Sequence, residues 1–226
     1  MINETRTVAD IAVGVAGAAH VFAANHIDYC CGGKRTLREA CERAKVPIAK
    51  VIAELEALSA SSEPVGWSSL TMLVAHIVDK HHASARTAME HIGPLASKVC
   101  RVHGDRHAEL LQVVRLFDEI CADLAPHMRA EEGALFPAIL QMARADCDPK
   151  QREELRVSIV VMQHDHETIG RLLHALREAT NDYTPPEDAC TSYRALYVNL
   201  EAFEAALHEH IHLENNILLP RATAAR

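Results

Sequence analysis

The chain has 226 residues, 49% hydrophobic and 24% charged, with a formal net charge of −8 when histidine is neutral. That length allows one or two domains with a sizeable core, and the acidic balance offers no general basic surface, so a nucleic-acid partner is not expected. No apolar run approaches the roughly 18 residues of a membrane span, and the opening MINETRTVAD lacks the regions of a signal peptide, so we expect no membrane partner and a cytoplasmic location.

The composition favours helices over a sandwich or barrel. Residues 1–58 read as a small helical domain. Its apolar-periodic stretch runs Val8, Ile11, Val15, Ala19, Phe22 and ends near Asn25-His26. The segment DYCCGGKRT then reads as a loop. Thr36 and Glu39 fit a capping box opening a short helix. Pro47 suits the first turn of the next helix, whose apolar face is Ile48, Val51, Ile52, Leu55 and Leu58. Residues 59–69 form the candidate linker. From 70 to 222, four long helical patterns fall near 69–93, 107–143, 151–180 and 189–219, divided at Gly93-Pro94, Gly104, Cys147-Asp148-Pro149 and the Tyr183–Pro186 stretch. Four such helices in series predict an all-α chain whose second part is an antiparallel four-helix bundle.

Fifteen histidines are a large excess. Residues three and four apart share a helix face, so their phase against the apolar stripe can be read. The stripes are Val74, Val78, Ala85, Met89 in the first helix and Val113, Phe117, Ile120, Leu124, Leu135 in the second. The third has Leu155, Ile159, Met162, Ile169, Leu173, Leu176, and the fourth Leu196, Leu200, Phe203, Leu207, Ile217. His82, His127, His166 and His210 fall in phase, one per helix, and Glu131 and Glu214 follow two of them by one turn. One in-phase histidine is ordinary, since a stripe covers about a third of a helix. Four are not, and two carboxylates on buried faces cost several kcal/mol each unless paired or metal-bound.

The pairs His127-x3-Glu131 and His210-x3-Glu214 repeat one spacing, each followed by Leu-x-Pro. The repetition predicts a pseudo-symmetric site for two metals held by His82, His127, Glu131, His166, His210 and Glu214. Imidazole with carboxylate suits iron or manganese better than calcium or magnesium. The competing motif, H-E-x-x-H at His208, Glu209 and His212, is a zinc-protease signature, but both of its histidines lie off the stripe. His76, His81, His91, His103, His107, His164 and His174 read as surface candidates. Asp123 and Asp165 are candidates to orient ligands. Pro126 should kink or interrupt its helix just before His127.

Seven cysteines, scattered at 30, 31, 41, 100, 121, 147 and 190, do not form a secreted disulfide framework. Cys30-Cys31-Gly32-Gly33 needs its own account. Vicinal cysteines pair only in a strained ring, the glycines would leave the backbone approachable, and Lys34 and Arg35 would favour thiolate. Thiol redox chemistry, transient iron binding and nitrosyl acceptance are the functional readings, against a turn with incidental thiols. The other five cysteines default to packing.

Asp28-Tyr29-Cys30-Cys31-Gly32-Gly33 followed by a His/Glu bundle resembles the iron–sulfur cluster repair di-iron proteins (the RIC, YtfE and ScdA group, with NorA- and DnrN-type relatives). The similarity spans almost the whole chain, and His-x3-Glu-Asn-Asn-x-Leu-x-Pro at 210–220 is its second specific motif. The resemblance implies a hemerythrin-like bundle with an oxo-bridged centre of two iron ions on the same six residues. It implies repair of clusters damaged by nitrosative or oxidative stress, by iron delivery, with damaged iron–sulfur proteins or a scaffold as partners and Cys30 and Cys31 as a redox or iron relay. Nitric oxide or oxygen would be the small ligand. Nitric oxide binding or reduction at the centre is the alternative, with oxygen sensing behind it, and a homodimer is compatible with either. Asp123 and Asp165 depart from the glutamates of a relative, and Pro126 is unusual at its position.

Overall fold

The computed structural model describes residues 2–59, 67–143 and 148–224. Among these the chain is all-α, as expected, apart from an isolated antiparallel bridge between Thr7 and Thr36. The expected linker falls mostly outside the described residues, as does Cys147. The chain forms two compact units, Met1–Val74 with His208–Arg226, and Ala75–Leu207.

In the first unit the periodic stretch that opens the chain is two helices, α1 (Val8–Gly14) and α2 (Ala18–Ala24). Gly17, at φ 84°, makes the left-handed turn between them, a conformation glycine adopts without a Cβ penalty. Helix α3 (Leu37–Ala44) opens with the expected capping box, in which Thr36 and Glu39 satisfy each other's backbone amides. Helix α4 (Ile48–Ser59) buries Val51 and Leu55 against Val8, Ile11, Phe22 and Leu37. Full burial of each such side chain stabilises by roughly 1.5–3 kcal/mol. Helix α1 also packs on residues Glu214–Leu218 of the same unit.

The bundle patterns become α5 (Leu70–His76), α6 (Ala83–His103), α7 (Glu109–Ala130), α8 (Phe136–Met142), α9 (Pro149–Ala179), α10 (Thr191–Leu213) and α11 (Leu219–Ala224). Within the second unit α6 packs on α7 and α7 on α9. The five residues between α6 and α7 are too few for anything but antiparallel neighbours. Gly104 caps α6, and a side chain does not fit there, because a Cβ would lie 2.5 Å from the Cys100 carbonyl oxygen. Phe117 meets Phe203 at 5.4 Å between centroids in the shared core.

Two expectations about proline are corrected. Helix α6 does not end at Gly93-Pro94 but continues to His103, burying Ile92, Ala96 and Val99. Helix α7 runs through Pro126 without interruption. Both prolines face solvent, as does Glu90 at the carbonyl position Pro94 leaves without its amide, so water can serve the freed groups. Pro94→Ala restores a helical hydrogen bond and should stabilise the protein by about 1–3 kcal/mol. Thermal unfolding checks this, and an unchanged or lower midpoint would show that the proline is needed where it stands.

Candidate metal centre

In the second unit four side chains converge. His127 Nε2 lies 3.0 Å from His166 Nε2 and 3.3 Å from Glu131 Oε1. His166 Nε2 lies 3.9 Å from the same oxygen, and His82 Nε2 lies 3.4 Å from Glu131 Oε2. All four residues are at most 4% exposed. Ring nitrogens directed at each other and at one carboxylate describe ligands around a common point. In the first unit His210 Nε2 lies 2.9 Å from Glu214 Oε1, both 1% exposed.

The local backbone explains part of this aim. Among the described residues three segments are π-helical: Ile77–His82, Glu131–Leu135 and Glu214–Leu218. The first ends on His82, and the other two begin on Glu131 and Glu214. Such turns insert a residue into the α ladder and recur at functional sites. They also shift the buried phase, so Leu218 rather than Ile217 continues the stripe in the first unit. The same shift buries His81 beside His82, which the regular 3.6-residue period had put on the surface. His103 and His212 are buried as well.

The ring nitrogens turned away from this point are held by acids. His82 Nδ1 donates to Glu132 Oε1 at 2.6 Å, and Arg86 Nη2 donates to the same oxygen at 2.7 Å. Burial pushes the Glu132 carboxyl up, but the hydrogen bonds from His82 and Arg86 outweigh it and hold the group below its ordinary range. Asp165 Oδ2 stands 3.4 Å from His127 Nδ1, in the orienting place expected of it. Asp123 is exposed and takes no such place. Glu132 and Arg86 escaped the sequence reading. The doubled Glu at 131–132, and Arg86 one turn after His82, were the available signals.

The donors fit a metal cation. Glu131 is a carboxylate at 1% exposure whose neighbours at 3.3–3.9 Å are imidazoles. Neutral imidazoles do not balance a buried negative charge, and a cation does. Nitrogen and oxygen donors without thiolate fit iron.

The loop of the vicinal cysteines is built in the first unit. Asn216 Nδ2 donates to the Tyr29 carbonyl at 2.9 Å, and Asn215 Nδ2 to the Cys30 carbonyl at 3.4 Å. The two residues after Glu214 therefore tether this loop. Tyr29 packs on Phe22 and on the His212 ring, at 5.4 Å between centroids for the latter. Burial pushes the His212 imidazole down to about 4, so it is neutral and its Nδ1 accepts from Asn216 at 2.8 Å. His212 serves the loop, and Glu209 is exposed, so the H-E-x-x-H reading does not fit.

The sulfurs of Cys30 and Cys31 lie 3.8 Å apart without a disulfide bond between them, and with Asp28 the two cysteines offer three ligand atoms within 4.8 Å of one another. Two expectations fail here. The hydrogen bond with Cys31 and burial push the Cys30 thiol well above its ordinary range, while Lys34 is exposed and Arg35 lies 3.8 Å from Asp28. The glycines are buried rather than open. A Cβ on Gly33 would lie 2.9 Å from the Tyr29 carbonyl and 3.0 Å from Ala9.

Residues 73–222 match the hemerythrin HHE cation binding domain, and residues 4–59 match ScdA_N, a domain of unknown function. The chain is 35% identical over 226 residues to the iron-sulfur cluster repair protein YtfE of Yersinia pseudotuberculosis, covering 98% of each. It is also 35% identical, over 229 residues and 98% of each, to the protein of that name from Pectobacterium atrosepticum. The chain belongs to the YtfE family. The two matched regions of this YtfE-family chain contain, respectively, the six candidate ligands and the paired thiols.

Two outcomes are expected. Glu132→Gln should weaken iron retention by about 10–100-fold, the usual effect of losing a partner that orients a ligand. Competition against a graded chelator reads this directly, and unchanged retention would remove Glu132 from the centre. Asn216→Ala should destabilise the first unit by about 1–2 kcal/mol and speed amide exchange at residues 28–33. Hydrogen exchange with peptide resolution checks it, and unaltered exchange there would mean the loop holds without its tether.

Proposed function

We propose that this chain is a non-haem di-iron protein of the cytoplasm that restores iron–sulfur clusters damaged by nitrosative or oxidative stress, by delivering iron. His82, His127, Glu131, His166, His210 and Glu214 would hold two irons, with both carboxylates and an oxo group as bridges. The observation that carries the reading is the buried carboxylate Glu131 among three imidazoles, in a chain whose full-length relatives bear the repair name. Two ferrous ions held there supply electrons and open coordination positions for a small ligand such as nitric oxide or oxygen.

The chain's own groups set the terms of that chemistry. Glu132 accepts the hydrogen bond from His82 Nδ1–H, which fixes the tautomer that presents Nε2 as ligand. Arg86 keeps Glu132 ionised, so the imidazole is a firmer donor. Asp165 serves His127 in the same way at a half-exposed position. The buried apolar neighbours, Phe136 stacked on His82 among them, exclude water from the ligands.

Iron as cargo needs a second resting place. Asp28, Cys30 and Cys31 offer one, and the Asn215–Asn216 tether ties that loop to the segment beginning at Glu214. Damaged iron–sulfur proteins or a scaffold would receive the iron. No described helix is long and apolar enough to cross a membrane, in keeping with soluble partners.

The test is recovery of a dehydratase whose [4Fe–4S] cluster has been damaged by nitric oxide. The purified protein should carry about two irons per chain and accelerate recovery. His82→Leu should lose iron and acceleration together. Cys30→Ser with Cys31→Ser should keep the iron and lose the acceleration. An iron-loaded wild type that gives no acceleration would overturn the repair reading, and a protein purified without iron would overturn the ligand set.

A further inference from the structure

At the end of the second unit where α6 stops and α10 begins, a thiol and an imidazole meet. Cys190 Sγ lies 3.2 Å from His103 Nε2. Cys190 directly precedes α10, and its carbonyl accepts the Arg194 amide at 3.0 Å, the first turn of a 23-residue helix. It is the exposed thiol among the described cysteines. His103 is its opposite, 93% buried at the last position of α6, with its ring against Tyr193 at 5.6 Å between centroids. Tyr193 is fixed in turn by its hydroxyl, which donates to Glu109 at 3.1 Å.

The tautomer of His103 follows from burial. Its Nδ1 is buried with no hydrogen-bond partner among the described residues. A proton there would be a buried, unsatisfied N–H, the costlier orphan, so the ring proton belongs on Nε2. That N–H points at the sulfur. It is the donor that a thiolate at Cys190 would accept, held by a ring that cannot turn away. The start of a long helix adds its partial positive charge at the same place. Arg106 pairs with Asp188 at 3.7 Å, two residues before the thiol, and the exposed Arg194 is held by the carbonyls of Glu187 and Ala189.

We propose that Cys190 is a modification site that forms mixed disulfides with small anionic disulfides of the glutathione type, with His103 as its positioning residue. In the step, the Cys190 thiolate attacks one sulfur of the small disulfide. The Sγ–S bond forms as the disulfide bond breaks, and the departing thiolate takes the proton that Cys190 gave up. Cys190 is oxidised, half of the small disulfide is reduced, and no further oxidant enters. Arg194, held by neutral carbonyls, favours the anionic reagent, and the adduct stands at the start of the helix that carries His210.

The experiment uses the full-length, iron-loaded protein with glutathione disulfide as probe and follows the adduct at each cysteine by peptide mass spectrometry. Cys190 should react about tenfold faster than the same cysteine in a synthetic peptide of residues 186–195, the scale of one charge-assisted hydrogen bond. His103→Leu should bring the rate down to that of the peptide. His103→Gln, whose amide can reach the Nε2 position, should restore part of it, which a purely structural role for His103 would not produce. Circular dichroism confirms that each variant is folded. A neutral disulfide should lose part of the advantage. A folded protein no faster than the peptide, or a leucine variant as fast as wild type, would overturn the proposal.

Discussion

The cost of a carboxylate without water governs this chain. Glu131 and Glu214 sit at 1% exposure, and neither helix propensity nor apolar packing stabilises a charge there. Imidazoles reduce the cost only in part, because the neutral ring is a dipole and not a counter-charge. A bound cation would offset it, and the local features of the helices that carry the candidate ligands suit that end. Rigid helices supply fixed ligand spacing, π-helical turns adjust the aim at His82, Glu131 and Glu214, and buried apolar residues keep the dielectric low. The empty second unit would be a bundle with a defect at its centre. Stability and metal content are therefore linked by mass action, since the folded chain alone presents the ligands together.

The residues next to the candidate ligands are held as firmly as the candidates themselves. Glu132 follows Glu131 and fixes the ring of His82 from a different helix. Asn215 and Asn216 follow Glu214 and hold the backbone of Tyr29 and Cys30. One step along a helix turns a side chain by about 100°, so the neighbour of an inward ligand faces another partner without any change of backbone. The repeated His-x3-Glu pairs thus end differently. One continues into a polar bond that supports a ligand, the other into a tether for the thiol loop.

The burial of the six candidate ligands was legible because α-helical periodicity holds over most of each helix, and a buried polar residue stands out against an apolar stripe. The capping box at Thr36 and Glu39 was legible for a similar reason, being local chemistry between residues three apart. Pro94 and Pro126 were misread because a sequence shows the missing amide but not which face the proline occupies. On the solvent side the loss is small enough for long helices to absorb. His81 was misread because a π-helical turn adds a residue that no composition signals. His103, His212 and Glu132 were hidden for a third reason: their partners, Cys190, Tyr29 and His82, are distant in sequence, and only the fold brings them together.

The state of the thiol pair follows from the same electrostatics with the sign reversed. At the ligand cluster a buried carboxylate calls for a cation; at Cys30, burial and the neighbouring thiol keep the sulfur protonated and neutral. Flanking Lys34 and Arg35 do not change this, because charge at the surface is screened and Arg35 lies beside Asp28. A cation arriving at Asp28, Cys30 and Cys31 would have to displace protons to gain thiolate ligands, and the proton release would fall with the arrival of the metal rather than before it. At Cys30 burial holds the thiol rather than the thiolate, which makes that sulfur a poor nucleophile toward oxidants. Reactivity at Cys30 is therefore tied to the arrival of a cation, whereas the exposed sulfur of Cys190 stands 3.2 Å from the His103 ring nitrogen and is open to reagents around the protein.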